Sequence, residues 1–324
     1  MTRFALAIHG GAGTLQRGVI TAPQESAHRA ALEEALNAGH DILRRGGSSI
    51  DAVVAAVVSL EDCPLFNAGR GSVFSHEGTH EMDAAVMEGH AGRAGAVTGV
   101  SRIRNPVKAA QLVMERSAHV LLSGAGAESF AIAQSVALEK PEYFYTDFRW
   151  QQLLAIRDSE EALLDHDGAS LVARKQQSSS GGPIDEENKF GTVGAVALDV
   201  HGHLAAATST GGLTNKRYGR VGDSPLIGCG TFADERVAVS ATGTGEAFIR
   251  AVAAHDVAAR MKYAGETVET ATHAVVHESI PRHGGTGGLI AVDFEGHVSM
   301  PFNTEGMYRG AIRSDGQPRV EIYR

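Results

Sequence analysis

A threonine that follows a glycine at the head of an apolar run is a candidate nucleophile. The chain carries this arrangement at Gly191-Thr192, which leads into Thr192–Asp199 (TVGAVALD). Threonine attacks carbonyl carbon when an amine takes its proton, and the nearest amine is its own α-amine, free only if the Gly191-Thr192 bond is cut. Such an amine titrates at about 7.7–8.0, so part of it is neutral near physiological pH. Glycine at 191 leaves room for the hydroxyl to reach the preceding carbonyl. A β-branched residue also suits the start of a strand, so taken alone the pair reads as packing.

The flanking segments add partners. Thr208-Ser209-Thr210-Gly211-Gly212 ends the run that would return beside Thr192–Asp199, which brings Thr210 near Thr192. Arg220-Val221-Gly222-Asp223 sets a fixed cation and a carboxylate three residues apart across a glycine. That pair suits a zwitterion, with guanidinium on a carboxylate and Asp on an ammonium; it equally suits a surface ion pair. Thr242-Gly243-Thr244-Gly245 lies where a strand gives way to a helix, so its backbone N–H groups are available to an oxyanion. Three other groupings read as structural. His201-x-His203 flanks a hairpin glycine, Glu81-x-Asp83 shares one strand face, and Gly124-Ala125-Gly126 lacks the rest of a phosphate loop and starts a helix.

The elements that must position these residues follow from periodicity. Phe4–Ile8 is a buried strand ending in His9-Gly10-Gly11-Ala12-Gly13. Apolar residues at helical spacing predict a helix over Gln24–Arg45, with Pro23 in its first turn and Gly46-Gly47 as its stop. Ser48 caps a second helix through Leu60, with Asp51 as its N3 carboxylate, and a glycine-punctuated loop, Phe66–Gly71, follows. Glu81–Met87 reads as a strand; Pro106–Arg116, Gly126–Gln134 and Phe148–Arg157 read as helices. Strands are expected at Thr192–Asp199, Leu204–Thr210, Val237–Ser240, Leu289–Asp293 and Val298–Phe302, with a helix over Ala247–Arg260. Hairpins alternating with helices indicate layered α+β with antiparallel strands. Between the halves, Asp158–Phe190 is polar and contains QQSSSGGP, which is linker chemistry.

Composition bounds the rest. The 324 residues are 43% apolar and 21% charged, as in globular proteins, and glycine is enriched at 39. A net charge of −9 argues against nucleic-acid binding. The two cysteines, Cys63 and Cys229, sit in no metal-ligand spacing. Neither a secretory leader nor a membrane-length apolar run is expected, so the cytoplasm is the expected location.

Eight segments fall in order along the chain: HGGAG, LEDCPLFNAGRGSVF, NPVKAAQLVM, GTVGAVALD, AAATSTGG, NKRYGRVGDSP, ATGTGEAFIR and PFNTEGMYRG. Together they resemble the plant-type (class 3) L-asparaginases, also called isoaspartyl peptidases or β-aspartyl-peptidases, of the N-terminal nucleophile hydrolases. The resemblance spans the chain outside Asp158–Phe190. It implies a four-layer αββα sandwich made as a precursor that cuts itself into 1–191 and 192–324, one catalytic domain in two chains. It implies Thr192 as nucleophile, Thr210 as the residue that polarises it, and Thr242 and Gly243 as the oxyanion hole. It further implies Arg220, Val221, Gly222, Asp223, Thr244 and Gly245 around the substrate, and Asn67 beside the nucleophile.

The same resemblance implies a structural sodium ion on the backbone carbonyls of Leu60, Glu61, Cys63, Phe66, Ala68 and Arg70, with no catalytic cofactor. It implies a dimer of cleaved αβ units that takes asparagine and β-aspartyl dipeptides, with no nucleic acid or membrane partner. Two features depart from the pattern, a longer serine-rich linker and the bulky Arg70 at the end of the metal loop. The competing reading is a non-catalytic amino-acid binder in which Thr192 is inert.

Overall fold

The computed structural model describes residues 3–13, 15, 18, 20–158 and 191–324. Nearly all of the polar stretch expected to act as a linker therefore lies outside the described residues.

The first half runs β1 (Ala5–Gly13), α1 (Ala22–Arg44), α2 (Ser49–Asp62), β2 (Met82–Glu88), β3 (Arg93–Val100), α3 (Pro106–Arg116), β4 (Leu121–Ser123), α4 (Gly124–Ala133), α5 (Pro141–Phe144) and α6 (Asp147–Ile156). The second half runs β5 (Val193–Leu198), β6 (Leu204–Thr210), β7 (Thr231–Ala233), β8 (Val237–Gly243), α7 (Gly245–Ala251), α8 (Ala253–Ala259), α9 (Val268–Ala274), α10 (Ile280–Arg282), β9 (Gly287–Asp293), β10 (Val298–Ser299), β11 (Gly306–Arg313) and β12 (Arg319–Tyr323).

Local signals account for the helix starts. Thr21 and Gln24 form a reciprocal capping box ahead of α1. Ser48 Oγ accepts from Asp51 N at 3.2 Å to cap α2.

The strands make two sheets. Eight run in the order β12-β11-β1-β5-β6-β2-β3-β4, and four in the order β10-β9-β8-β7. Every pairing is antiparallel except β3 with β4. Alternation on β1 shows how the larger sheet is buried on both faces. Leu6 and Ile8 join a core with Leu36 and Leu43 of α1 and Val53 and Val57 of α2. Ala5 and Ala7 point the other way and pack with Ala238, Ile290 and Val292 of the smaller sheet. The far face of that sheet packs Val239 and Leu289 against Phe248, Val257 and Val275. The alanines between the sheets let them approach closely, which explains a core so poor in aromatics.

Three expectations change. The helix expected over Ala247–Arg260 is broken at Val252, whose φ of +48° is left-handed. The freed N–H groups of Ala254 and His255 donate to the Cys229 and Gly228 carbonyls at 3.1 and 2.8 Å, which offsets the break. The strand expected over Val298–Phe302 stops at Ser299, with one further bridge from Phe302 to Gly288. Strand β8 runs on past Ser240 to Gly243, so Thr242 and Gly243 sit at the end of an interior strand, paired with β9, rather than in a loop. Among the described residues, no helix is long and apolar enough to cross a membrane.

Candidate active site

Strand pairing places the two threonines. In β5 and β6, Val193 lies opposite Ser209, so the residues just outside that pair, Thr192 and Thr210, face each other at one end of the sheet. Thr192 Oγ1 donates to Thr210 Oγ1 at 3.1 Å. Thr210 Oγ1 also accepts from Gly212 N at 3.0 Å. The Thr210 oxygen thus has a fixed donor behind it, and its contact with Thr192 holds the side chain of residue 192 in one direction.

A small pocket opens there. Its lining includes Asn67, Gly191, Thr192, Thr210, Arg220, Gly222, Asp223, Thr242 and Gly243, so nine of the expected site residues meet in one place. Ala12, Gly212, Leu213 and Ser224 line it as well, although none of them was expected as a site residue. Val221, Thr244 and Gly245 are not part of that lining. Thr244 instead accepts from Thr286 N at 3.2 Å, and Gly245 sits just behind the Arg220 and Asp223 side chains. A Cβ on Gly245 would lie 2.8 Å from Arg220 Nη2 and 3.0 Å from Asp223 Oδ1, so glycine there keeps both side chains in place.

Arg220 and Asp223 have opposite surroundings. Arg220 is held by Glu246 through two hydrogen bonds of 2.9 Å, a bidentate contact. Burial raises the Glu246 carboxyl, but those bonds and the guanidinium charge outweigh it and leave its pKa lowered. Asp223 is buried, and its Oδ2 has no hydrogen-bond partner among the described residues. Burial pushes the Asp223 carboxyl up to about 7, against the downward pull of its own backbone hydrogen bond and of Arg220. A buried carboxyl that borders a cavity with an empty acceptor is a site for a cation.

The glycines fix the approach of the Gly191-Thr192 segment. A Cβ on Gly11, whose φ is +110°, would sit 2.4 Å from the Gly191 nitrogen. Gly191 in turn lies against Thr242, whose hydroxyl a Cβ on residue 191 would approach to 3.3 Å. The Thr242 hydroxyl also accepts from Ala12 N at 3.4 Å.

Asn67 acts through the backbone. Its Nδ2 donates to Gly212 O at 2.9 Å and its Oδ1 accepts from Val73 N at 3.0 Å, so it ties the Phe66–Gly71 loop to the turn behind Thr210. Glu61 makes a second tie, accepting from Ser209 Oγ at 2.6 Å and Val107 N at 3.0 Å. Burial raises the Glu61 carboxyl to about 8 despite those bonds.

The loop from Leu60 to Arg70 is curled around two glycines. A Cβ on Gly69 would sit 2.4 Å from the Glu61 carbonyl oxygen, and one on Gly71 would sit 2.1 Å from that of Phe66. The Leu60, Phe66 and Ala68 carbonyls each accept one backbone N–H and keep a second lone pair. A cradle of neutral oxygens fits a hard cation.

The remaining groupings are structural. Asp83 Oδ1 is taken by Thr98 Oγ1 at 2.5 Å and Gly99 N at 2.9 Å, while Glu81 accepts Lys216 Nζ through its carbonyl at 2.5 Å. The backbone nitrogens of His201 and His203 donate to Asp199, and the His203 ring stacks on His90 at 3.9 Å. Helix α4 begins at Gly124.

His9, the histidine nearest the site in the sequence and expected to serve packing or a turn, reaches residue 192. Its Nδ1 lies 3.0 Å from the Thr192 carbonyl oxygen. Burial lowers its pKa to about 3, against the upward pull of that bond, so the ring is neutral. Only the register of β1 with β5, in which His9 faces Gly194, brings it there.

Comparison with known proteins places the chain in a family. The profile of the family described as asparaginase matches residues 2–322. The chain belongs to the asparaginase family. It is 52% identical over 325 residues to an isoaspartyl peptidase of Escherichia coli, covering 100% of this chain and 97% of that protein. It is 53% identical to an isoaspartyl peptidase of Salmonella typhimurium, with 100% of each covered. A human protein named isoaspartyl peptidase/L-asparaginase is 40% identical over 290 residues, which is 89% of this chain and 86% of that one. Membership in the asparaginase family thus extends over both halves of the chain, including all the segments that line the cavity.

Proposed function

We propose that the chain is a hydrolase of β-aspartyl amides, which releases aspartate from L-asparagine and from β-aspartyl dipeptides. The observation that carries this reading is one cavity that joins the Thr192–Thr210 hydroxyl pair to the Arg220 and Asp223 side chains. A hydroxyl poised for attack and an anchor for an α-amino acid are both required, and a binding protein needs only the second.

The first event is self-cleavage. Thr192 Oγ attacks the Gly191 carbonyl carbon, the peptide C–N bond gives way to an ester, and water hydrolyses the ester. The products are a Gly191 carboxylate and a free Thr192 amine. In turnover that amine takes the proton from Thr192 Oγ as the oxygen attacks the side-chain amide of the substrate. The leaving ammonia or amino acid receives the proton, and water then hydrolyses the aspartyl ester. Thr210 polarises Thr192, and Thr242 with Gly243 stabilises the oxyanion. Arg220 takes the substrate α-carboxylate and Asp223 its α-ammonium, with Gly222 and Gly245 providing room.

Several finer points belong to the same reading. The two sheets with helices outside each make the four-layer αββα sandwich. Chains 1–191 and 192–324 form one catalytic domain, and two such units form a dimer. The protein works in the cytoplasm and needs no catalytic cofactor. The carbonyls of Leu60, Glu61, Cys63, Phe66, Ala68 and Arg70 hold a sodium ion, which supplies charge to fix the loop carrying Asn67 and takes no part in the reaction.

Turnover of L-asparagine and of a β-aspartyl dipeptide by the cleaved protein tests the reading. Release of aspartate from both is expected. Stoichiometric binding of asparagine without hydrolysis would favour the binding-protein alternative.

A further inference from the structure

Residue 192 has an unusual mechanical problem. After cleavage it is a chain terminus, and terminal residues fray unless tied down. Strand β5 begins only at Val193, so the sheet does not hold Thr192 itself. Two contacts do: its hydroxyl meets Thr210, and its carbonyl meets the His9 ring. The second contact continues into the protein. His9 Nε2 lies 2.9 Å from Ser240 Oγ, Ser240 Oγ lies 2.7 Å from Thr208 Oγ1, and Thr231 Oγ1 lies 2.6 Å from Thr208 Oγ1. Thr231 Oγ1 is also 2.9 Å from the carbonyl of Ser224, which neighbours Asp223 and lines the cavity. His9, Ser240, Thr208 and Thr231 are all fully buried.

We infer that this buried chain is a positioning device, in which His9, oriented by Ser240, Thr208 and Thr231, clamps the carbonyl of the N-terminal threonine and ties it to the loop of Asp223. The inference rests on the threonine-hydrolase reading above.

Proton bookkeeping gives the chain a direction. A carbonyl only accepts, so His9 Nδ1 carries the proton and donates to Thr192 O. Nε2 is then an acceptor, and Ser240 must donate to it. The lone pairs of Ser240 are left to accept from Thr208, whose proton also faces the Gly230 carbonyl at 3.2 Å, and Thr231 shares its one proton between Thr208 and the Ser224 carbonyl. The space for this is built in. A Cβ on Gly194 would lie 2.0 Å from Ser240 Oγ and 2.4 Å from His9 Nε2, so only glycine at 194 admits the bond. The chain also spans both sheets. His9 and Thr208 belong to the larger, Ser240 and Thr231 to the smaller. The two halves of the site, nucleophile and substrate anchor, are thereby held in one geometry by groups that touch no substrate.

Thr208→Val and Thr208→Ser separate this from simple packing. Valine keeps the shape and removes the hydroxyl; serine keeps the hydroxyl. In preparations cleaved to completion and with matched melting temperatures, Thr208→Val is expected to lose about tenfold in kcat, the size of one buried hydrogen bond. KM should stay within about twofold, because the anchor is intact. Thr208→Ser should keep most of the wild-type kcat. A folded Thr208→Val protein that fails to cleave also supports the clamp, since the same carbonyl orients the attacking residue in the precursor. If Thr208→Val misfolds, Thr231→Val at the far end carries the comparison, with a smaller loss in kcat expected. Wild-type kcat in the valine variant, or equal losses in valine and serine variants, would overturn the inference and leave the hydrolase reading intact. An uncut wild type with no turnover would overturn both.

Discussion

Gly11 and Gly191 pack backbone against backbone: a Cβ on Gly11 would lie 2.4 Å from the Gly191 nitrogen and 2.8 Å from its Cα. The glycine loop after β1 therefore sets where the scissile carbonyl can sit. Gly11 also has a φ of +110°, which side-chain-bearing residues rarely adopt. Gly11→Ala should leave a folded protein whose Gly191-Thr192 bond is cut far more slowly. A time course on a denaturing gel checks this, and cleavage at the wild-type rate would show that the close approach does not control the step.

Arg220→Ala should reduce kcat/KM for β-aspartyl substrates while sparing self-cleavage, because the scissile peptide has no α-carboxylate to hold. The lost charge-assisted contact is worth roughly 1.5–3 kcal/mol, or about 10- to 150-fold. Glu246 holds the guanidinium in place through two bonds, so Glu246→Ala should raise KM and still allow cleavage. Steady-state kinetics beside the gel assay separates the two effects.

The pH dependence follows from Asp223. Its carboxyl titrates at about 7 in the substrate-free protein because it is buried. The substrate ammonium needs the ionised form, so kcat/KM should fall as pH drops through about 7. The Thr192 amine also protonates on acidification, from a reference value of about 7.7–8.0 that burial lowers. Two groups therefore shape the acid limb, and Asp223→Asn should make it shallower. The stability effect has the opposite sense. A carboxyl raised above its unfolded value favours the fold while protonated, and that contribution is lost as pH rises from about 4 through about 7. Asp223→Asn should thus raise the melting temperature above pH 7 and change it little at pH 4.

His9→Asn should lower kcat without removing the acid limb, because His9 is neutral and its Nδ1 faces a carbonyl rather than the hydroxyl of Thr192. Disappearance of the acid limb in a folded, cleaved His9→Asn protein would make histidine the base.

The proposed sodium site predicts that exchange of sodium for a bulky organic cation lowers the melting temperature, because the loop of Glu61 and Phe66 carbonyls would then lack the ion. Treatment with EDTA should leave turnover intact, because carbonyl oxygens alone form the proposed cradle.

Most of the site could be read from the chain because its parts carry local signals. The turn of Thr210-Gly211-Gly212 and the Arg220–Asp223 spacing are visible without any tertiary knowledge. His9 reads as a packing or turn residue in the sequence because its partner is a main-chain carbonyl 183 residues away. Ser240, Thr208 and Thr231 look like ordinary strand residues until the two sheets are stacked. Strands β3, β11 and β12 carry glycines, charges and alternating small residues that give weak periodicity, and only pairing of β3 with β2, of β11 with β1 and of β12 with β11 makes them strands. The break at Val252 has no local signal, since the Gly228 and Cys229 carbonyls that accept the freed N–H groups come from a distant turn.

The most direct test of the central claim is the intact mass of the purified, active protein, with N-terminal sequencing of its chains. The expected result is two chains, one beginning at Thr192, with activity that grows as the uncut form disappears and a Thr192→Ala protein that stays single and inactive. Full β-aspartyl hydrolysis by a protein shown to be uncut would contradict the N-terminal threonine mechanism.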